Sequence, residues 1–276
     1  MFTYIDPTIR QRLVEQGSLR RINGRGELLY SGSHNSPETG LSLDILGPIP
    51  LPVTLDDVTL DLRWYAVVRS REIARLNELA DALKQQGGEH LFASLASSMA
   101  VNSVLIYGEP EQDESPLVRV HSNCMTGDVF GSQRCECGPQ FLGALDRISS
   151  EPKGGTIIYM AGHEGRGIGL WAKAATYLLQ DAGEDTYQAN RSLGLPDDCR
   201  DFSDAAALIR YFFPDKPLRL LTNNPKKVND LTALGVADVR AVPHLVGISN
   251  HNRRYLAAKR DWGHAIPSLD DASDNS

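Results

Sequence analysis

TIIYMAGHEGRGIGLWAKAATYLLQD, residues 156–181, passes from a short apolar run through a glycine-rich turn into a helical pattern. Thr156–Met160 is rich in β-branched side chains and reads as a buried strand. Gly162, Gly165, Gly167 and Gly169 then surround Glu164 and Arg166. Glycines let a backbone approach a ligand closely, and the N-terminus of the helix over 168–181 offers unpaired N–H groups to a phosphate. The same alternation recurs on both sides. Ser103–Tyr107 and Leu117–His121 read as strands and Gln140–Ile148 as a helix. Asp204–Phe213 reads as a helix and Leu218–Thr222 as a strand. Pro225 suits the first turn of another helix, and Val239–Pro243 closes the series. Strands alternating with helices predict an α/β fold, a layered mixed sheet with helices on its faces.

Residues 1–110 carry no catalytic motif and are read as an N-terminal accessory region that packs on the core or on a partner subunit. Within it, the Ser-, Gly- and Pro-rich stretch 31–53 is expected to be loop or linker. Ile73, Leu76, Leu79, Ala80 and Leu83 share one face of a helix expected over 71–85, stopped by Gly87-Gly88, and a second helix is expected over 91–99. The catalytic domain is expected over 111–266, followed by a disordered polar, acidic tail at 267–276.

The composition, 41% apolar and 23% charged, is that of a globular protein. A net charge of -7 excludes general binding to nucleic acid or to an anionic membrane, and leaves open an anionic small molecule drawn to a local cluster of Arg and Lys. No apolar run is long enough for a membrane span, so none is expected, and the charged residues 1–16, broken by Pro7, lack the apolar core of a secretory signal. Three of the four cysteines fall together, unlike an exported disulfide framework, so the expected compartment is the cytoplasm.

That cluster is CMTGDVFGSQRCECG, residues 124–138, with the spacing C-x10-C-x-C. A disulfide between Cys135 and Cys137 is strained by the opposed directions of neighbouring side chains. Soft thiolates suit Zn2+, and His121 and Arg134 are candidates to keep them deprotonated. Two forms of the site are open. His121 or His163 completes a closed Cys3His site, or the fourth position holds water, whose pKa zinc lowers toward neutrality.

LTNNPKK (221–227) offers Thr222, Lys226, Lys227 and backbone N–H groups as a phosphate cradle, or simply a capped helix with solvated lysines. DDCRDF (197–202) reads by itself as a solvated loop before a Ser-capped helix. Tyr177 reads as core or surface. An ordinary histidine titrates near neutrality, so His163 is a candidate acid or base as well as a packed or solvated residue.

Together, RVHSNCMTGDVFGSQRCECG (119–138), HEGRGIGL (163–170), YLLQDAGEDT (177–186), LGLPDDCRDF (193–202) and LTNNPKK (221–227) resemble the GTP cyclohydrolase II family, in that family's order and with similar gaps. The resemblance implies hydrolytic opening of the guanine imidazole ring of GTP at the entry to riboflavin synthesis. The products are formate, pyrophosphate and 2,5-diamino-6-(5-phosphoribosylamino)pyrimidin-4-one. It implies Cys124, Cys135 and Cys137 as ligands of one Zn2+ per subunit and Mg2+ on the triphosphate. Tyr177 is implied near the metal water, Arg200 as the family's nucleophile toward the α-phosphate and Asp198 as its proton acceptor. Arg119, Val120, His121, Ser122, Asn123, Gln140, Glu164, Gly165, Arg166, Thr186, Thr222 and Lys227 match nucleotide-binding positions, and a homodimer is implied. Asn123 stands where the family has Glu, Gly162-His163 where it has Arg-Gln before Glu-Gly-Arg, and Glu136 where it has Asp, while Cys199 stands between Asp198 and Arg200; the first two lie in or beside the nucleotide-binding matches. Two alternatives follow: a divergent paralogue that stops at a formamidopyrimidine or takes another purine nucleotide, and a catalytically silent nucleotide-binding or regulatory protein.

Overall fold

The computed structural model describes residues 5–29, 40–73 and 100–267. Its strands are β1 (Leu19–Asn23), β2 (Ser42–Leu55), β3 (Val58–Arg69), β4 (Asn102–Gly108), β5 (Leu117–Ser122), β6 (Gly154–Met160), β7 (Leu218–Leu221) and β8 (Val239–Val242). They form one mixed sheet in the order β1-β2-β3-β4-β6-β5-β7-β8. β1 to β4 and β6 pair antiparallel, whereas β5 lies parallel to both β6 and β7, and β7 parallel to β8. The strand read first from the sequence, β6, is thus the junction of the two halves.

The described helices are α1 (Pro7–Glu15), α2 (Cys137–Ser150), α3 (Leu170–Asp181), α4 (Thr186–Ser192), α5 (Ser203–Phe212), α6 (Pro225–Ala233) and α7 (Arg253–Asp261). Alternate side chains of the central strands point to opposite faces. Val104, Ile106, Val118, Val120 and Ile158 pack against Ala205–Ile209 of α5, while Leu105, Leu117 and Ile157 pack against Ala144, Leu145 and Ile148 of α2. Both faces are covered, as the layered α/β expectation requires. A Cβ at Gly155 would lie 2.8 Å from Ile148 Cγ2 and 2.8 Å from the Leu117 carbonyl, so glycine there lets α2 sit down on β6.

The stretch expected to be loop or linker at 31–53 is corrected over 42–53, which belongs to β2. Proline normally breaks a ladder, but β1 pairs with β2 only as far as Leu46. From Ile49 on, among the described residues, β2 ladders with β3 alone, and Pro50 and Pro52, two apart, share one side. On that open edge a missing N–H costs no ladder bond. β1 to β3 extend the sheet from β4, so the N-terminal region packs on the core as sheet. A helical turn starts at Ser70. The rest of the helix expected at 71–85, the helix expected at 91–99 and the tail from 268 lie outside the described residues. Among the described residues no helix is long and apolar enough to cross a membrane.

Candidate active site

The functional segments converge at the C-terminal ends of the parallel strands. β5 carries Arg119, His121 and Ser122 to the sheet's edge and delivers Cys124 just beyond it. A single π-helical turn, Met125–Val129, follows, and α2 begins at Cys137. The three sulfurs of Cys124, Cys135 and Cys137 lie within 4.8 Å of one another, with Cys124 Sγ 3.6 Å from Cys135 Sγ. A Cβ at Gly127 would sit 3.0 Å from Cys135 Sγ and 3.1 Å from Cys124 Sγ, so the turn is glycine because the sulfurs occupy the side-chain space. A buried, convergent set of three thiolate donors fits Zn2+.

His121 and His163 do not complete that set. His121 Nε2 lies 3.0 Å from Asp128 Oδ2, and His163 is engaged by Ser122 Oγ at 3.2 Å and the Asp201 carbonyl at 3.0 Å. The closed Cys3His form is thereby disfavoured by both histidines' own partners. The expected thiolate stabilisers are also corrected. His121 serves Asp128, and Arg134 lies over the Tyr177 ring and pairs with Asp181 at 2.7 Å. The cation on the sulfur is Lys173, whose Nζ donates to Cys124 Sγ at 3.1 Å and to Glu164 Oε1 at 2.6 Å. Burial opposes the Lys173 charge, but Glu164 and the Cys124 thiolate prevail and raise its pKa. Hydrogen bonds from Cys135 and Cys137, followed by Lys173, bring the Cys124 thiol far below its ordinary range. Glu164 Oε2 in turn accepts from the Met125 N–H at 2.7 Å, tying the glycine-rich turn to the metal loop.

α3 turns its polar face inward. Lys173, Thr176, Tyr177 and Gln180, spaced i, i+3, i+4 and i+7, line the cleft, while Trp171 is 90% and Leu178 73% exposed. Tyr177 Oη lies 2.9 Å from Thr126 Oγ1, which is itself 3.7 Å from Cys124 Sγ. Burial raises the Tyr177 pKa, so the phenol keeps its proton at neutral pH.

The cleft extends from the sulfurs across the strand ends. Seven cations line it (Arg119, Arg134, Arg166, Lys173, Arg200, Lys227 and Lys259) against one carboxylate, Glu136, in a chain whose net charge is -7. Burial pulls Arg119 down to about 10. Burial first, then Arg119, Arg200 and Lys259, pull Lys227 well below an ordinary lysine. Its Nζ donates to the Val120 carbonyl at 2.8 Å. Cations that raise one another's cost in a closed cleft are neutralised by a multiply charged anion. Asn224 caps α6 by accepting from the Lys226 N–H at 3.0 Å, and Lys226 pairs with Asp230, away from the cleft. Of the LTNNPKK cradle, Thr222 and Lys227 therefore face the site and Lys226 does not.

Arg200 is held in a two-pronged pair with Asp198, Nε to Oδ1 at 2.9 Å and Nη2 to Oδ2 at 2.7 Å. Burial raises the Asp198 pKa, but the Arg200 guanidinium outweighs it and brings the carboxyl down to about 2. Arg200 Nη1 reaches Ser122 Oγ at 3.3 Å. His163 is buried, with its pKa lowered to about 4 chiefly by burial, so it is a neutral packing and hydrogen-bonding group and not an acid or base near neutrality.

Of the residues singled out in the sequence, Arg119, His121, Ser122, Asn123, Gln140, Gly165, Arg166, Thr186, Thr222 and Lys227 line the cleft with the three cysteines, Tyr177 and Arg200. Val120, Glu164 and Asp198 stand behind the lining, each bonded to a residue that forms it. Asn123 accepts from Tyr159 Oη at 2.7 Å and donates to the Ala161 carbonyl at 3.1 Å. Lys173 and Lys259 were missed. Lys173 lies four residues before Tyr177 and was there to be found on the same helical face. Lys259 pairs with Glu136 from a helix 123 residues away in the chain.

Three convergent thiols that could hold a metal ion open on a cationic cleft at the carboxyl ends of parallel strands, an arrangement suited to an anionic ligand. Residues 81–243 match the family described as GTP cyclohydrolase II. The chain is 49% identical over 167 residues to the riboflavin biosynthesis protein RibBA of Mycobacteroides abscessus, covering 60% of this chain and 40% of that protein. It is 48% identical over 168 residues to RibBA of Nocardia farcinica, with the same coverage, and 48% over 167 residues to RibBA of Mycobacterium tuberculosis, covering 60% and 39%. The chain thus spans about two fifths of the length of these relatives. It belongs to the GTP cyclohydrolase II family.

Proposed function

We propose that this protein opens the imidazole ring of GTP by hydrolysis, releasing formate and pyrophosphate and leaving 2,5-diamino-6-(5-phosphoribosylamino)pyrimidin-4-one, the reaction that feeds riboflavin synthesis. The observation that carries the reading is the joining of two chemistries in one cleft: the cysteine triad and the cations Arg119, Arg200 and Lys227. Both C8–N bonds of guanine break, two waters are consumed there, and C8 leaves as formate. A third water completes hydrolysis of the bond between the α- and β-phosphates.

Cys124, Cys135 and Cys137 would hold one Zn2+ per subunit, which when bound would supply Lewis acidity for the hydrolysis at C8. Lys173 keeps the Cys124 sulfur anionic and fixes Glu164 beside it. Tyr177, protonated and anchored to Thr126, donates a proton to the nitrogen that leaves C8. Arg200, aligned by Asp198, clamps the phosphates and stabilises charge as pyrophosphate departs. With its pKa depressed, Asp198 stays a carboxylate and orients the guanidinium as a fixed hydrogen-bond acceptor. Arg119 and Lys227 neutralise the remaining charge, Thr222 offers a hydroxyl donor to a phosphate oxygen, and Mg2+ would accompany the triphosphate. Val120 to Asn123, Gln140, Glu164 to Arg166 and Thr186 complete the nucleotide site. A cytoplasmic homodimer is the state this reading assigns.

The test is an assay of zinc-loaded protein with GTP and Mg2+ that follows formate, pyrophosphate and the pyrimidine together. All three are expected, and Cys135→Ser is expected to abolish formate release. Formate release that persists in Cys135→Ser refutes the metal-centred reading. A product that keeps the formyl carbon replaces this reaction with ring opening alone.

A further inference from the structure

Arg69 ends β3, in the N-terminal region and outside the family match at 81–243. Its guanidinium crosses to the segment that follows Arg200. Nη2 donates to Asp201 Oδ2 at 2.7 Å and Nε to Asp204 Oδ1 at 2.9 Å. On the adjoining strand, buried Asn102 donates to Asp204 Oδ2 at 3.0 Å and accepts from the Ala161 N–H at 3.0 Å. Two neighbouring strands therefore grip both the 197–204 segment and the start of the glycine-rich turn.

The grip continues into the cleft through a hydrogen-bond chain of one polarity. His163 Nε2–H donates to the Asp201 carbonyl at 3.0 Å, which leaves Nδ1 as an acceptor. Ser122 Oγ–H then donates to Nδ1 at 3.2 Å, and the same oxygen accepts from Arg200 Nη1 at 3.3 Å. The Arg200 guanidinium is thus set from two sides, by Asp198 directly and by Asp201 through His163 and Ser122. A neutral His163 suits this chain, since a second N–H on the ring would oppose the Ser122 proton.

We infer that Arg69 is a positioning residue for Arg200, and that one role of the N-terminal strands is to hold the phosphate-clamping segment in register with the glycine-rich turn. Arg69 touches no substrate. It acts through Asp201 and Asp204, and its loss lets the segment carrying Arg200 drift while the metal end stays intact. The inference rests on the reading of Arg200 as a phosphate clamp, and the binding comparison tests that part without turnover.

The experiment compares Arg69→Met, Arg69→Lys and the double variant Arg69→Met with Asp204→Asn, which leaves no buried carboxylate without its cation. Arg63→Ala is the control, because Arg63 lies on the same strand and pairs with Glu111 away from the cleft. Zinc content, thermal midpoint, steady-state kinetics of pyrophosphate release, and affinities for guanosine and for a non-hydrolysable GTP analogue are measured. Misplacement of a clamp by about 1 Å costs up to roughly 100-fold. Arg69→Met and the double variant are expected to lower kcat/KM about 10- to 100-fold and to weaken binding of the analogue. Guanosine affinity and zinc content are expected to stay within about twofold, with partial recovery in Arg69→Lys, which supplies charge without the fork. Wild-type kinetics in the folded double variant overturn the inference. So does an equal loss of guanosine and analogue binding. If wild-type protein releases neither product, the ring-opening reading fails, and the binding comparison decides the role of Arg69 by itself.

Discussion

Gly127→Ala puts a methyl carbon between the sulfurs, 3.0 Å from Cys135 Sγ, 3.0 Å from Cys137 Cβ and 3.1 Å from Cys124 Sγ. Relaxed carbon contacts lie at about 3.5–4.0 Å, so each neighbour must yield by roughly half an ångström. The Gly127 backbone is not left-handed, and the perturbation is therefore steric. Overpacking of this kind costs about 1–3 kcal/mol. The least constrained response is for the sulfurs to spread, which transfers the strain to metal binding. At about 1.4 kcal/mol per factor of ten, zinc affinity should fall about 5- to 150-fold. Titration with Co2+, read by its thiolate charge-transfer absorption, followed by displacement with Zn2+ against a chelator, measures the change. Gly138→Ala is the contrasting case, because its Cβ would collide with the Gly127 carbonyl, a backbone atom that cannot swing aside. Its cost should appear in denaturant unfolding, at about 3 kcal/mol. Unchanged metal affinity in Gly127→Ala would refute the account of the cradle.

Lys227→Met removes a buried charge that burial, Arg119, Arg200 and Lys259 all disfavour. The nucleotide-free protein should melt a few degrees higher while affinity for a triphosphate falls about tenfold or more, a trade read by calorimetry on the two states. His163, His244 and His264 are each held near a pKa of about 4 with burial as the first cause, so they are neutral where the unfolded chain is protonated. The unfolded state then binds more protons between about pH 6.5 and 4, and stability should rise with pH across that window. Urea unfolding at pH 7 and 4.5 should show His163→Gln losing less stability on acidification than wild type; an equal loss counts against a neutral His163. Asp198 has the same sign over a lower pH range, because its folded pKa is also depressed. Its depressed pKa makes the pair with Arg200 a contribution present above about pH 4 and lost toward pH 2, so the stability difference between wild type and Asp198→Asn should shrink over that lower range.

Much of the parallel half of the sheet was legible because its signals are local. Thr156–Met160, the four glycines after it and the helix of Tyr177 each follow from residues adjacent in the chain. α4 was also legible and was missed: Asp185 and Gln188 form a capping box, bonded in both directions at 3.0 Å or less. β2 was not legible, since Gly47, Pro48, Pro50 and Pro52 punctuate it as a loop would. What makes it a strand is β3, whose Leu60, Leu62 and Trp64 pair with Val53, Leu51 and Ile49. α3 likewise misleads, because its exposed Trp171 and Leu178 mark the face that a periodicity argument would bury.

By itself the sequence determined the thiolate triad, the strand–turn–helix order and the family to which they belong. Cys124 to Cys137 span one short loop, and spacing within a loop constrains what its side chains can reach. Only the tertiary structure decided which cation faces which anion. Lys173 reached Cys124 from 49 residues away, Arg119 reached the Leu221 carbonyl from 102, and Arg69 reached Asp201 from 132. Charge state followed the same rule: His163 became neutral and Asp198 stayed ionised because of neighbours that the chain brings together only by folding. Pairings over such separations leave no periodicity in the sequence, since their geometry is set by the pleat and order of the strands that carry them.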